Sequence, residues 1–181
     1  GFYDASRRLE RGERPSLAVS LIAWLGNLGT VAIFCGVLLI LEMLWSRTAL
    51  VVFAVAFNRV PGADSTLAML IHPSNIGFLL TYCAVGAVFA ALIFATTVVS
   101  MPMLVDRTTD AVVAAITSFR ACLTYPAALA IWAAIIAAVI MLAMLPAFLG
   151  LLVAAPVIGH ASWHAYRGIV ERPVDDERAL E

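Results

Sequence analysis

The densest run of chemistry-capable side chains is Gly159-His160-Ala161-Ser162-Trp163-His164-Ala165-Tyr166-Arg167. His160 and His164 stand four residues apart, so on a helix both imidazoles project from one face. That spacing suits a shared metal ion, or one axial ligand to a haem. Either centre needs further ligands. The one other histidine is His72, and the HExxH pattern fails because Ala161 follows His160. A second reading is that polar and aromatic residues gather where a helix leaves a membrane. A third is contact with a partner or with lipid. The second reading is the expected one, because a metal or haem site lacks further ligands within reach.

Asp106 and Arg107 form the next constellation. They are expected at the same membrane surface as the histidines, giving a polar interface cluster of Asp106, Arg107, His160, His164 and Arg167. Its simplest role is ion-paired closure of two loops; a docking surface or a proton-linked gate is the functional alternative. Glu42 is the one carboxylate inside an apolar run, and intramembrane acids are functional candidates by default. It lies three residues before Trp45, about 5 Å along a helix, so snorkelling to the interface also accounts for it. Cys35, Cys83 and Cys122 have no CxxC spacing and are odd in number, which argues against a disulfide framework or a zinc site. No Walker loop or GxSxG turn is present, so neither nucleotide nor hydrolytic chemistry is expected. No catalytic residue and no cofactor is assigned.

The elements that would position these residues are membrane helices. Of 181 residues, 63% are hydrophobic and 13% charged, against ~45–50% and ~25% in soluble domains. The excess sits in Leu28–Leu44, Ile76–Val99 and Pro126–Gly159, and a spanning helix needs ~20 mainly apolar residues. The expected fold class is all-α: a polytopic transmembrane helical bundle with four spans and one or two amphipathic interfacial helices. Net charge is −1, which supplies no basic field for nucleic acid. The partners expected are membrane lipids and other integral membrane subunits.

Residues 1–25 read as an Arg-rich, solvated segment followed by an amphipathic helix, with Leu17, Leu21, Trp24 and Leu28 as its apolar stripe. Residues 26–170 form the transmembrane domain, with spans at about 26–45, 76–100, 126–145 and 147–166. A break is expected near Arg47, because one helix over Leu28–Phe57 would be about 45 Å long. Asn58–Pro73 reads as a loop. Pro102 is expected to end the second span, and Pro146 with Gly150 to turn a hairpin. Residues 171–181 are a charged tail. Val112, Ile116, Phe119 and Leu123 repeat the first stripe ninety-five residues later, which suggests an internal duplication.

Orientation follows from arginine. Nine of the eleven fall on one side of a four-span layout, leaving Arg47 and Arg59 on the other. The positive-inside rule then puts both ends of the chain in the cytoplasm of a bacterium, with the spans in its inner membrane.

The stretches "GFYDASRRLERGERPSL", "FATTVVSMPMLVDR" and "GHASWHAYRGIV" resemble an uncharacterised proteobacterial family of predicted integral membrane proteins, a domain of unknown function. The resemblance runs along nearly the whole chain. It implies two further spans ahead of the Arg-rich stretch, hence six in an intact protein, and it fits a first residue that is Gly rather than Met. Some members carry cytochrome c oxidase subunit-like labels. A haem–copper core needs histidines on several spans, and this chain has three histidines in total. The family offers no catalytic residues to carry over. The function favoured is a non-catalytic accessory or assembly subunit of a respiratory or photosynthetic inner-membrane complex. The alternatives are a small solute or ion transporter or channel, and a haem- or metal-binding protein using His160 and His164.

Overall fold

Backbone polar groups in hydrocarbon have no water to bond, so an apolar, charge-free run satisfies itself as a helix. The computed structural model describes residues 2–12, 14, 22, 26–57 and 72–170, and every regular element among them is helical. In chain order these are α1 (Phe2–Glu10), α2 (Leu28–Ala56), a 3-10 turn (Pro73–Asn75), α3 (Ile76–Thr97), α4 (Ser100–Asp106), α5 (Ala111–Thr124), α6 (Pro126–Met144) and α7 (Leu151–Ile169). The stripe at Leu17, Leu21 and Trp24, most of the loop 58–73 and the tail 171–181 lie outside the described residues. Three stretches are long and apolar enough to cross a membrane: Leu28–Ala56, Pro73–Asp106 and Pro126–Met144. The second half of α7 carries His160, Ser162, His164 and Arg167, which lowers its hydropathy.

Two units result, Gly1–Ile33 with Ala95–Glu181, and Phe34–Phe94. In the smaller one, aromatic rings fill the space between α2 and α3. Trp45 meets Tyr82 edge-on at 5.3 Å and Phe89 at 5.8 Å; Phe57 meets Phe78 at 4.7 Å. Gly86 makes room for Trp45, whose Cη2 would lie 3.1 Å from an added Cβ. The break expected at Arg47 does not occur, because α2 runs unbroken through it for 29 residues. No proline falls in it, and its two glycines, Gly29 and Gly36, lie well before Arg47. The hydroxyls of Ser46 and Thr48, the residues most apt to disturb the ladder, donate back to the carbonyls of Glu42 and Leu44 at 2.9 and 2.8 Å. At about 43 Å, α2 exceeds a ~30 Å hydrocarbon core and fits by tilting or by extending into the interface.

The larger unit begins where α3 stops. Pro102 cannot donate to the Val98 carbonyl, and its ring crowds that oxygen. The helical ladder therefore lapses at Val98–Val99, and Pro102 falls inside α4 instead of ending α3. The lapse frees polar groups in a buried place. The Val99 N–H donates to Ser118 Oγ on α5 at 3.1 Å, and the Ser100 hydroxyl donates to the Thr96 carbonyl at 2.5 Å.

Asp110 caps α5, accepting the Val112 N–H at 2.7 Å. Its packing turns the apolar stripe outward. Val112, Ile116, Phe119 and Leu123 are all exposed, while Ala111, Ala114, Ser118 and Ala121 are buried. Small side chains let α5 close on α4 and α6, and the large ones point outward, as helices in lipid allow. Pro126 opens α6 at its first position. Leu129, Trp132, Ala133, Ile136, Val139 and Ala143 form the inner face of α6. The chain then reverses over residues 145–150, with positive φ at Ala147 and Phe148, and α7 packs back on α6. Gly150 passes so close to Ala143 that an added Cβ would sit 2.6 Å from its carbonyl oxygen.

Gly150→Ala therefore forces a backbone shift and should cost about 1–3 kcal/mol, read as a fall in thermal midpoint in detergent. Gly77→Ala is the control, because a Cβ there meets nothing within 4 Å. Equal midpoints for the two variants would show that the close approach is not real. Ser118→Ala strands the buried Val99 N–H and should cost about 1–3 kcal/mol in the same assay.

Candidate functional site

α1 has the makings of a helix that needs a partner. Asp4 in its first turn and Arg7 and Arg8 in its last complement the helix dipole. The same residues pair along the surface: Asp4 Oδ1 with Arg7 Nη2 at 2.6 Å, and Asp4 Oδ2 with Arg8 Nε at 2.9 Å. Nine residues are too few for an isolated helix to persist in water. The chain supplies the missing stability by packing α1 against α4 and α7. The segment expected to be solvated is therefore docked: Asp4 and Ser6 are buried, and Arg7 and Arg8 are about a quarter exposed. Burial pushes the Tyr3 phenol above its ordinary value.

Hydrogen bonds to α4 and α7 tie α1 down. Arg7 Nη1 donates to the Val105 carbonyl of α4 at 2.6 Å. Ser6 Oγ and His160 Nδ1 share a hydrogen bond of 2.5 Å. The Trp163 indole N–H donates to Glu10 Oε1 at 3.0 Å. His160, Trp163 and Arg167 lie three and four residues apart on α7, and Tyr166 follows Trp163 by three, so one face of α7 presents all four.

The far end of that face converges on Asp106. The Tyr166 hydroxyl donates to Asp106 Oδ2 at 2.8 Å. Arg167 Nη1 lies 3.5 Å, and Arg107 Nη2 3.7 Å, from the same oxygen. Arg167 Nε is 3.2 Å from Glu10 Oε2, yet it points off that oxygen, so the attraction is between charges without a hydrogen bond. Its guanidinium also stands 5.9 Å from the Trp163 ring centroid, within cation–π range. Trp163 and Tyr166 are almost wholly buried beneath these ions. The result is a polar seam in which three helices far apart in sequence share carboxylates and guanidiniums.

Of the residues singled out from sequence, Asp106, Arg107 and Arg167 meet directly. His160 and His164 share the α7 stretch but serve different neighbours. His160 is half-buried against Ser6, whereas the His164 side chain is 69% exposed with Nδ1 3.9 Å from Glu10. Among the described residues no group of three or more His, Cys, Asp or Glu is arranged to hold a metal ion. Ser6 with His160 has the atom types of a nucleophile and its base, but Ser6 is buried and closed to a substrate. Glu42 is exposed on α2, in the other unit, and His72 caps the 3-10 turn through Nδ1. Asp4, Ser6, Glu10, Trp163 and Tyr166 went unremarked as site residues. The Asp4–Arg7–Arg8 spacing and the 160/163/167 spacing were signals that could have found them.

A family model described as "Predicted integral membrane protein (DUF2189)" matches residues 1–106. The match spans α1 to the end of α4, and so takes in Asp4, Glu10 and Asp106; α7 lies beyond it. No curated protein and no solved structure matches the chain.

Trp163→Phe removes the indole N–H to Glu10 and shrinks a buried ring. It should speed amide hydrogen exchange across Phe2–Glu10 by roughly fivefold, about 1 kcal/mol, leaving α6 amides unchanged. Asp106→Ala leaves Arg107 and Arg167 without their shared acceptor and should cost about 2–4 kcal/mol, read as loss of α1 protection together with a lower thermal midpoint. Unchanged exchange in both variants would mean that the seam does not hold α1.

Proposed function

The chain belongs to the DUF2189 family of predicted integral membrane proteins, and we propose that it is a non-catalytic accessory or assembly subunit of a bacterial inner-membrane complex, respiratory or photosynthetic. One observation carries the reading. The outward face of α6 is rich in alanine: Ala127, Ala130, Ala134, Ala137 and Ala138 are exposed, with Ile131, Ile135 and Met141 exposed beside them, opposite the inner face built on Leu129, Trp132, Ile136 and Ala143. Ala130, Ala134 and Ala138 repeat the small-xxx-small pattern that lets a second helix approach closely. A second helix seated on that row gains close backbone contact, and the exposed Ile131 and Met141 flank it.

Four spans with α7 as the fourth, both described ends on the cytoplasmic side and a proteobacterial source complete the reading. The arginine distribution supports the orientation. The polar seam of α1, α4 and α7 then lies at the cytoplasmic surface, closing that end of the bundle.

Ala134→Leu puts a branched side chain in the middle of the alanine row. Purified from native membranes in mild detergent, the wild-type chain should co-migrate with other membrane subunits, and the variant should lose them at least tenfold while keeping its own thermal midpoint, because the site is exposed. A wild-type protein that migrates alone would refute the accessory role.

A further inference from the structure

A cavity of about 220 Å³ opens beside the seam, lined by Arg7, Asn27, Val105, Asp106, Arg107 and Thr108. It is smaller than the roughly 300 Å³ at which pockets for drug-sized ligands begin, so it suits a small head group. It sets two arginines, an asparagine and a threonine beside the one carboxylate of Asp106, in a protein whose other described cavities are lined mainly by apolar side chains. Arg107 is the unusual member. Its buried Nε and Nη2 make no hydrogen bond. Its nearest carboxylate oxygen, Asp106 Oδ2, is 3.7 Å away and already receives the Tyr166 hydroxyl and faces Arg167. A guanidinium prefers paired, in-plane acceptors, and Arg107, which lines the cavity, has no hydrogen-bonded acceptor at these two nitrogens. Position adds a further argument. The apolar stretch Pro73–Asp106 ends at this cavity, so if that stretch spans the bilayer, the cavity lies at the depth of lipid phosphates, where basic pockets take up head groups.

We infer that the cavity is an anion site for a phosphate group, with the phosphate of an anionic phospholipid its occupant. The Arg107 guanidinium turns two N–H groups to phosphate oxygens, Thr108 and Asn27 add neutral donors at the rim, and Arg7 contributes charge while still holding α1. Occupancy therefore supplies Arg107 with the acceptors that Asp106 cannot provide. The site does not depend on the accessory role proposed above, since a chain without protein partners would bind it equally.

The test uses the full chain in neutral detergent, titrated separately with phosphatidylglycerol, phosphatidylcholine and inorganic phosphate, with the thermal midpoint as readout, because a ligand of the folded state raises it by mass action. Phosphatidylglycerol should raise the midpoint, with phosphatidylcholine far less effective. Arg107→Gln should weaken the apparent affinity by at least about tenfold, the scale of one charge-assisted hydrogen bond. Should Arg107→Gln fail to fold, Thr108→Val at the exposed rim supplies the comparison, with an expected loss of several-fold. A response to inorganic phosphate that falls in these variants assigns the same site to a soluble phosphate. No response to either phosphate source overturns the inference, as does a response of equal size in wild type and in both folded variants.

Discussion

Oδ2 of Asp106 accepts the Tyr166 hydroxyl and lies within 4 Å of two guanidiniums, those of Arg107 and Arg167, while the carboxylate itself is mostly shut off from water. A charge withdrawn from solvent must find opposite charge and donors close by, or the fold loses several kcal/mol. That requirement explains the company around it. Arg167 also reaches Glu10, Glu10 receives Trp163, and Asp4 at the other end of α1 holds Arg7 and Arg8. Each ion is positioned by another, so the seam tolerates the removal of a neutral hydrogen bond better than the removal of a carboxylate.

Away from the seam the packing obeys a different rule. Apolar side chains gain nothing by leaving lipid for one another, so size decides which face turns inward. Helix α5 buries Ala111, Ala114, Ser118 and Ala121 and leaves its large residues outside. Helices α2 and α3 are the exception, because aromatic rings fill the gap between them and Gly86 yields to Trp45. At two of the places where helical regularity lapses in the larger unit, the cause is plain. At Val98–Val99 a proline breaks the ladder and Ser118 receives the orphaned N–H; at residues 145–150 the chain reverses over a glycine.

Much of this was legible from residue types. The charge-free runs indicated helices, Pro126 the start of α6, and Pro146 with Gly150 the reversal, because each is a local consequence of side-chain chemistry. The break at Arg47 failed for an equally local reason: one charge in a run of good helix formers does not outweigh a continuous hydrogen-bond ladder. The buried face of α5 was not legible, because among lipid tails apolar periodicity does not mark which face packs on protein.

The sequence by itself determined that this is a helical membrane protein, and that most of its charges gather near residues 4–14, 106–110 and 167–181. Composition and period act over neighbouring residues, so they can be read one window at a time. Only the tertiary structure decided that the segments around Asp4, Asp106 and Trp163 form one seam. Ser6 meets His160 across 154 positions and Tyr166 meets Asp106 across 60. No local propensity encodes such pairs. They follow from where each helix ends once the chain has packed, and that makes a segment that reads as solvent-exposed into part of the interior.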